Sequence, residues 1–428
     1  MRILMWHGYL LTGSGSNVHT ANVARAWRSA GHDVVVMCQE ALAGNLPYVD
    51  AEADMPADNS TYAEYPTKAE PGAGRCRVIR PHIGEILPVY VYDDYEGFTV
   101  KTFVDLSDEE LEVYVSRNVA ALVTVIRNHD PEVILVGHEV MGPYIARLAC
   151  EATNRAYAVK LHGSALEFAV RRQDRYRHYA HEGLTAAKRV IGGSNYMIGA
   201  ASALVPGWEA RAAVVNPGCD TDVFRPSERE PEAPPTVGFV GKLIAAKGVH
   251  HLLAALGATS TPGLRAVVVG YGGFAKELKA LAYTLETGNR IAAGRIASGP
   301  EPLPHLAGFL DSPAAGDAYW ERVRAVPLEF AGRLEHGPLS ERLPSFDVLV
   351  VPSVGPEAFG MVAAEAAACG VLPVVPAHSG IGEAGQQLER ELDAPGLLTF
   401  DPDNPGPGSP SGSTRSSPFR PSGDGPWS

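Results

Sequence analysis

Along the first forty positions, short apolar runs alternate with amphipathic stretches. MRILMW (1–6) reads as a buried strand and LLTGSGSN (10–17) as a glycine loop. HTANVARAWRSAG (19–31) then reads as a helix and HDVVVMCQ (32–39) as a second strand. Residues 41–100 are rich in Pro, Asp and Tyr and predict irregular structure. Helical periodicity returns at 108–129, with Ser107 as its N-cap candidate. Strand EVILVGHE, helix MGPYIARLACEAT, strand AYAVKLHG, a polar helical stretch to 183 and strand RVIGGS follow.

A second α/β block begins near residue 206. PTVGFVGKL is strand and loop, KGVHHLLAALGA helix, and LRAVVVGYGG strand and loop. The Gly-, Pro- and Ala-rich segment 285–325 reads as an inserted loop. PLEFAGRL, FDVLVVPS, GVLPVVPA and PGLLTFDP are further short buried strands alternating with helices. The pattern predicts an α/β protein with two doubly wound domains, 1–205 and 206–404, facing across a cleft. The tail 405–428 is roughly three-quarters Pro, Gly and Ser, a composition that cannot offset its ordering entropy, and disorder is expected there.

Composition narrows the function. The chain has 428 residues, 45% of them hydrophobic, enough for two cores, and a net charge of −13 that argues against nucleic acid as a partner. Five cysteines lie far apart with no C-x-x-C, which fits a reducing, cytoplasmic setting without a zinc site. The N-terminus reads as a first strand and not as a signal peptide. No run of about 18 apolar residues offers a membrane span.

The richest chemistry lies in FDVLVVPSVGPEAFGMVAAEAAACG (346–370). It places Glu357 in a loop before a helix and Glu365, in the pattern E-x7-E, about two turns inside that helix. A helix N-terminus favours anions, and a nearby carboxylate accepts hydrogen bonds from hydroxyls, so phosphate and sugar together would suit the site. Lys242 and Lys247, in the loop after a strand, would serve a diphosphate; alone they read equally as solvated lysines. Gly13 and Gly15 let backbone N–H groups approach a ligand, or simply form a tight turn. His162 closes a strand and could hydrogen-bond a sugar or take a proton. His138, at another strand end, reads as structural. The D-x-D strings Asp220–Asp222 and Asp401–Asp403 read as structural, and no metal is expected. Residues 170–183 concentrate Arg171, Arg172, Arg175, Arg177 and His178. They read either as a solvated helix face or as a peripheral contact with an anionic membrane surface or acceptor.

Taken together, TGSGSNVH, the LHG strand end, VVNPGCDTDVFRP, VGFVGKLIAAKG, AGRLEHGPL, GPEAFGMVAAE and HSGIGE resemble, in order and spacing, the family-4 retaining glycosyltransferases of GT-B architecture. The resemblance implies Rossmann-like domains, with the acceptor on the first and a nucleotide diphospho-sugar donor on the second. By it, Lys242 and Lys247 clamp the donor diphosphate, with Lys242 where the family commonly has Arg, and Gly15, Phe359 and Gly360 lie near the phosphates and sugar. Arg333 and Leu334 border the base and Glu365 accepts from the ribose. His162 and Glu357 hold the reacting sugar, and Asp220 is structural at the start of the linker. It further implies metal-independent transfer of a hexose to a hydroxyl acceptor (sugar, lipid-linked or small molecule), with no cofactor beyond the donor. Two other activities stay open: a GT-B sugar-nucleotide epimerase, and a non-catalytic sugar-nucleotide-binding remnant. Members of the family continue past the last strand with closing helices. Here LLTFDPDNP passes at once into the Pro/Gly/Ser tail, and the expectation is a shifted reading frame after Asn404.

Overall fold

The computed structural model describes residues 1–402 apart from 93, 94, 96, 229, 231 and 301. The tail 405–428, Asn404 and Asp403 lie outside the described residues. The chain divides between Pro217 and Gly218 into two units, each described by itself. That division falls later than 205/206 because Ala212–Val214 adds an edge strand to the first sheet.

In the first unit the strands are β1 (Arg2–Trp6), β2 (Asp33–Met37), β3 (Ala51–Asp54), β4 (Tyr65–Pro66), β5 (Arg75–Arg80), β6 (Ile86–Val89), β7 (Thr99–Thr102), β8 (Val133–Gly137), β9 (Ala158–Lys160), β10 (Arg189–Gly192) and β11 (Ala212–Val214). Its main sheet runs β11-β10-β9-β8-β1-β2-β5-β3-β4, parallel throughout except for β4. β1 and β2 are buried along nearly their whole length, as strands covered on both faces must be. From β1 the chain first builds outward through β2 and β5, then returns to place β8, β9 and β10 on the other flank. The order therefore reverses between β1 and β8. In open α/β sheets ligands bind beyond the carboxyl ends of the strands at such a reversal.

The second unit contains β12 (Thr236–Val240), β13 (Arg265–Val269), β14 (Leu328–Gly332), β15 (Val348–Val350), β16 (Leu372–Pro376) and β17 (Thr399–Phe400) in the order β14-β13-β12-β15-β16-β17. Its order reverses between β12 and β15.

Two expectations are corrected. Residues 41–100 are not irregular: they contain β5, which pairs in parallel with β2 over Asp33↔Arg75 to Met37↔Ile79. The segment 285–325 is not a loop but a run of helices, Arg290–Ala297, Pro304–Leu310 and Asp317–Arg324. They bury Leu306, Tyr319, Trp320 and Val323 against Leu278 and Leu281 of the preceding helix. Pro304 sits at the start of one helix and Gly316 at the N-cap of another, where neither disrupts the hydrogen-bond ladder.

Local signals set helix ends as expected. Ser107 Oγ accepts from the Glu110 N–H at 3.2 Å while the Glu110 carboxylate accepts from the Ser107 N–H at 2.9 Å, a reciprocal cap. At the other end of the chain, Glu389 ties β17 to the helix Ser379–Glu391. Its Oε1 accepts from the N–H of Leu398 (2.8 Å), the N–H of Thr399 (2.7 Å) and Thr399 Oγ1 (2.9 Å). Burial alone would raise this carboxyl, but the N–H groups of Gly396, Leu398 and Thr399 outweigh it and hold it below the usual range. Glu389→Ala is expected to destabilise the second unit by about 1–3 kcal/mol, since three donors lose their acceptor at once. Urea unfolding checks this, and an unchanged midpoint refutes it.

Candidate functional site

In the second unit, the loops after β12 and β15 bring Lys247 and Glu357 together. Lys247 Nζ makes a short ion pair with Glu357 Oε1, and Ser353 Oγ donates to the same oxygen at 2.6 Å. The backbone of Glu357 is held as well: its N–H donates to Ser379 Oγ at 3.0 Å and its C=O accepts from the Gly380 N–H at 2.9 Å. His378 bridges the same loops, with Nδ1 3.0 Å from Ser379 Oγ and Nε2 3.1 Å from the Ser353 carbonyl.

Close packing explains the glycines here. At Gly248 (φ +67°) a Cβ would stand 1.8 Å from the Pro352 carbonyl oxygen, so only glycine lets the Lys247 loop lie against the Glu357 loop. Gly360 (φ +84°) caps the helix Met361–Ala368, and a Cβ there would meet Ile381 Cγ1 at 2.6 Å. Phe359, just before it, is buried.

Glu365 lies just over one turn into that helix, not two, because the helix begins only at Met361. It is 8% exposed, and burial pushes its carboxyl up to about 7. His336 Nε2 is 3.6 Å from its Oε1, and the His336 ring meets Phe224 edge-on. Lys242 Nζ stands 5.9 Å from the centre of the Tyr271 ring. Arg333 stacks on the same ring at 5.0 Å and pairs with Glu335 at 2.7 Å. Leu334 packs against the core cluster that includes Phe224 and Ala363. Asp220 accepts from the Asp222 N–H at 3.1 Å, a local turn.

In the first unit, the carboxyl ends of β1, β8 and β9 carry His7, His138 and His162. The His138 ring lies 4.8 Å from His162 and 5.7 Å from His7, and His19 lies 5.6 Å from His162. Burial dominates each imidazole: His7 and His19 are lowered to about 4, and His138 and His162 well below their ordinary value. The cluster is therefore neutral at physiological pH. His7 is satisfied by Asn17 (2.8 Å) and Thr20 (3.2 Å). His138 adopts φ +72°, and neither ring nitrogen has a protein hydrogen-bond partner among the described residues. Gly15 opens the helix Gly15–Ser29 and is exposed; it is the first helical residue rather than part of the loop.

Sequence reasoning therefore named Lys247, Glu357, Glu365 and His162 but missed Ser353 and His378 around Glu357, His336 beside Glu365, Glu139 behind the His162 turn, and Tyr271 against Lys242 and Arg333. The basic stretch 170–183 is laced with intramolecular pairs. Arg171 pairs with Glu167 (3.0 Å), Arg175 with Asp108 (2.8 Å), Arg177 with Asp174 (2.8 Å) and His178 with Glu182 (2.8 Å), while Arg172 lies over Phe168. Among the described residues, no helix is long and apolar enough to cross a membrane.

Against known proteins, the model of the family "Glycosyl transferases group 1" matches residues 220–293 and 326–400. Both stretches fall in the second unit, and the gap between them takes in most of the helical insertion. D-inositol 3-phosphate glycosyltransferases of Mycobacterium bovis and Mycobacterium tuberculosis are 33% identical over 179 residues, 40% of this chain and 30% of theirs. The match thus spans under a third of those relatives' length. Among solved structures, sucrose-phosphate synthase from Thermosynechococcus elongatus superposes with a TM-score of 0.60 at 17% identity, covering 94% of this chain and 86% of that one. Anabaena Alr3699/HepE in complex with UDP and glucose gives 0.55 at 16%, over 90% and 82%. The E. coli trehalose-6-phosphate structure bound with UDP-2-fluoro glucose gives 0.56 at 12%, over 94% and 88%.

Proposed function

We infer the activity of this chain from its membership of the family-4-like glycosyltransferases, with the GT-B fold. The proposed reaction moves a hexose from a nucleotide diphospho-sugar to a hydroxyl acceptor, with retention, without a divalent metal and in the cytoplasm. The observation that carries this reading is the convergence of Lys247, Glu357 and Ser353 beyond the point where the second sheet reverses, with the buried Glu365 on the helix that follows. An ammonium held there is placed to neutralise charge that develops as a diphosphate leaves. Glu357, oriented by Ser353 and Lys247, would accept from the sugar's hydroxyls, and Glu365 from the ribose. His162 and the glycine loop of the first unit are proposed to take part in the transfer. The leaving phosphate is the group proposed to assist deprotonation of the acceptor on the same face.

The test is a thermal-shift series with UDP, GDP and ADP and their sugar conjugates, followed by product analysis with and without acceptors and with EDTA. Several of the solved neighbours carry UDP and glucose species, which makes UDP-glucose the first probe. At 100 times its dissociation constant the correct nucleotide adds about 2.7 kcal/mol of stability, and that class alone should raise the melt. A cooperative melt indifferent to all of them removes the proposed donor site. Conversion of the donor sugar without an acceptor would replace transfer by epimerisation.

A further inference from the structure

Glu139 follows β8 by two residues and is fully buried. Its Oε1 accepts from the backbone N–H of His162 at 3.1 Å and of Gly163 at 2.9 Å. Its Oε2 has no protein hydrogen-bond partner among the described residues. Burial pushes the carboxyl up to about 7, with backbone N–H groups of Gly163, Glu139 itself, His162 and Leu166 drawing it back. A buried acid is costly unless hydrogen bonds satisfy it, and here two backbone amides do so. What it holds is the turn after the neighbouring strand. β8 and β9 are adjacent, and the His138 N–H already donates to the Lys160 carbonyl at 2.8 Å. With Gly163 at φ +89° the chain turns sharply just after His162. Glu139 therefore fixes both amides of the peptide segment from which the His162 ring projects toward His138 and His19.

We propose that Glu139 is the positioning residue for His162, setting the imidazole's place through the two amides its carboxylate binds. This rests on the reading that His162 takes part in sugar transfer. A residue acting in this way controls the geometry of the reacting groups rather than donor affinity, for which the contacts proposed lie in the second unit. Misplacement by an ångström can cost about 10²-fold in rate.

The experiment compares the full chain with Glu139→Ala and Glu139→Gln, using UDP-glucose turnover and amide hydrogen exchange at His162 and Gly163. The glutamine oxygen can still accept from both amides; alanine cannot. In Glu139→Ala, kcat should fall about 10²-fold with the donor KM changed by less than about twofold, and both amides should exchange faster. Glu139→Gln should restore most of kcat and the slow exchange. Wild-type exchange in Glu139→Ala overturns the proposal, as does an equal loss of kcat in both variants. If the wild-type chain does not turn over UDP-glucose, the functional reading fails for that donor, and exchange with the His162 ring shifts decides the positioning role alone. If Glu139→Ala has no cooperative melt, Glu139→Asp, whose carboxylate is withdrawn by one methylene, takes its place with the same expected direction.

Discussion

Replacing Lys247 by alanine is expected to lower kcat/KM for the nucleotide diphospho-sugar by about 10²–10³-fold, the loss typical of removing one preorganised donor from a developing anion. Lys247 is engaged with Glu357 and sits on a loop that Gly248 presses against Pro352, so its ammonium is held in place before any ligand arrives. The Lys247 side chain is 29% exposed and that of Glu357 16%. Solvent screens such a pair, and the fold itself should lose no more than about 1 kcal/mol. Activity and stability are therefore separable: a near-normal melt with a collapsed rate. Lys247→Arg retains the charge and should fall between the two. Because Lys247 and Glu357 pair with each other and the proposed function puts both on one ligand, Lys247→Ala combined with Glu357→Gln should cost much less than the product of the single losses. Steady-state kinetics on the four proteins tests this. A Lys247→Ala enzyme within about tenfold of wild type would remove the ammonium from the reaction.

The architecture was legible because the central strands are nearly continuous apolar runs after a polar first residue, as β1, β2 and β12 are, and because glycine loops follow β1 and β12. What escaped was β5. RCRVIR alternates arginine with apolar residues inside a polar region, so it carries no buried-strand signature. Its Arg77 is matched by Glu64 at 3.0 Å and by a short contact with Asp33, which allows a cationic residue beside β2. Both partners are distant in sequence and invisible to a local pattern. The helices of 290–324 escaped for a different reason: their glycines and prolines were weighed as breakers, though several of them mark caps.

At the site, the E-x7-E spacing and the two lysines stood out because a helix N-terminus and nearby ammonium groups suit an anionic ligand. Their mutual geometry did not. Lys247 and Glu357 are 110 residues apart in sequence and meet only because β12 and β15 are neighbours in the sheet. Lys242 stood out with Lys247 in the sequence, and the Tyr271 ring 5.9 Å from its ammonium could not be read from it. Glu139 offered no signal at all. An acid just past a strand ordinarily faces water, and its partners here are backbone amides, which no side-chain motif reports.

Donor affinity is expected to weaken as pH falls below about 7, through Glu365. Burial pushes this carboxyl up to about 7, so in the unliganded protein it takes up a proton as pH drops through that value. Ribose hydroxyls donate best to the carboxylate, and the dissociation constant should then rise by up to about tenfold per pH unit below 7. Folding responds in the opposite sense. A carboxyl raised in the folded state binds its proton more tightly than in the unfolded chain. Its stabilising contribution is complete below the ordinary carboxylate value and is lost as pH rises through about 7. The fold thus favours the protonated acid and the ligand the ionised one. Calorimetric titration of UDP-glucose between about pH 5.5 and 8 measures the binding side, since its diphosphate carries no terminal phosphate titrating in that range. Glu365→Gln should bind more weakly at high pH but with a flat profile. That variant isolates Glu365 from His336, whose Nε2 stands 3.6 Å away. A 2′,3′-dideoxyribose donor should be equally flat on the wild-type chain. A slope that survives in Glu365→Gln would assign the titration to another group and remove Glu365 from the ribose subsite.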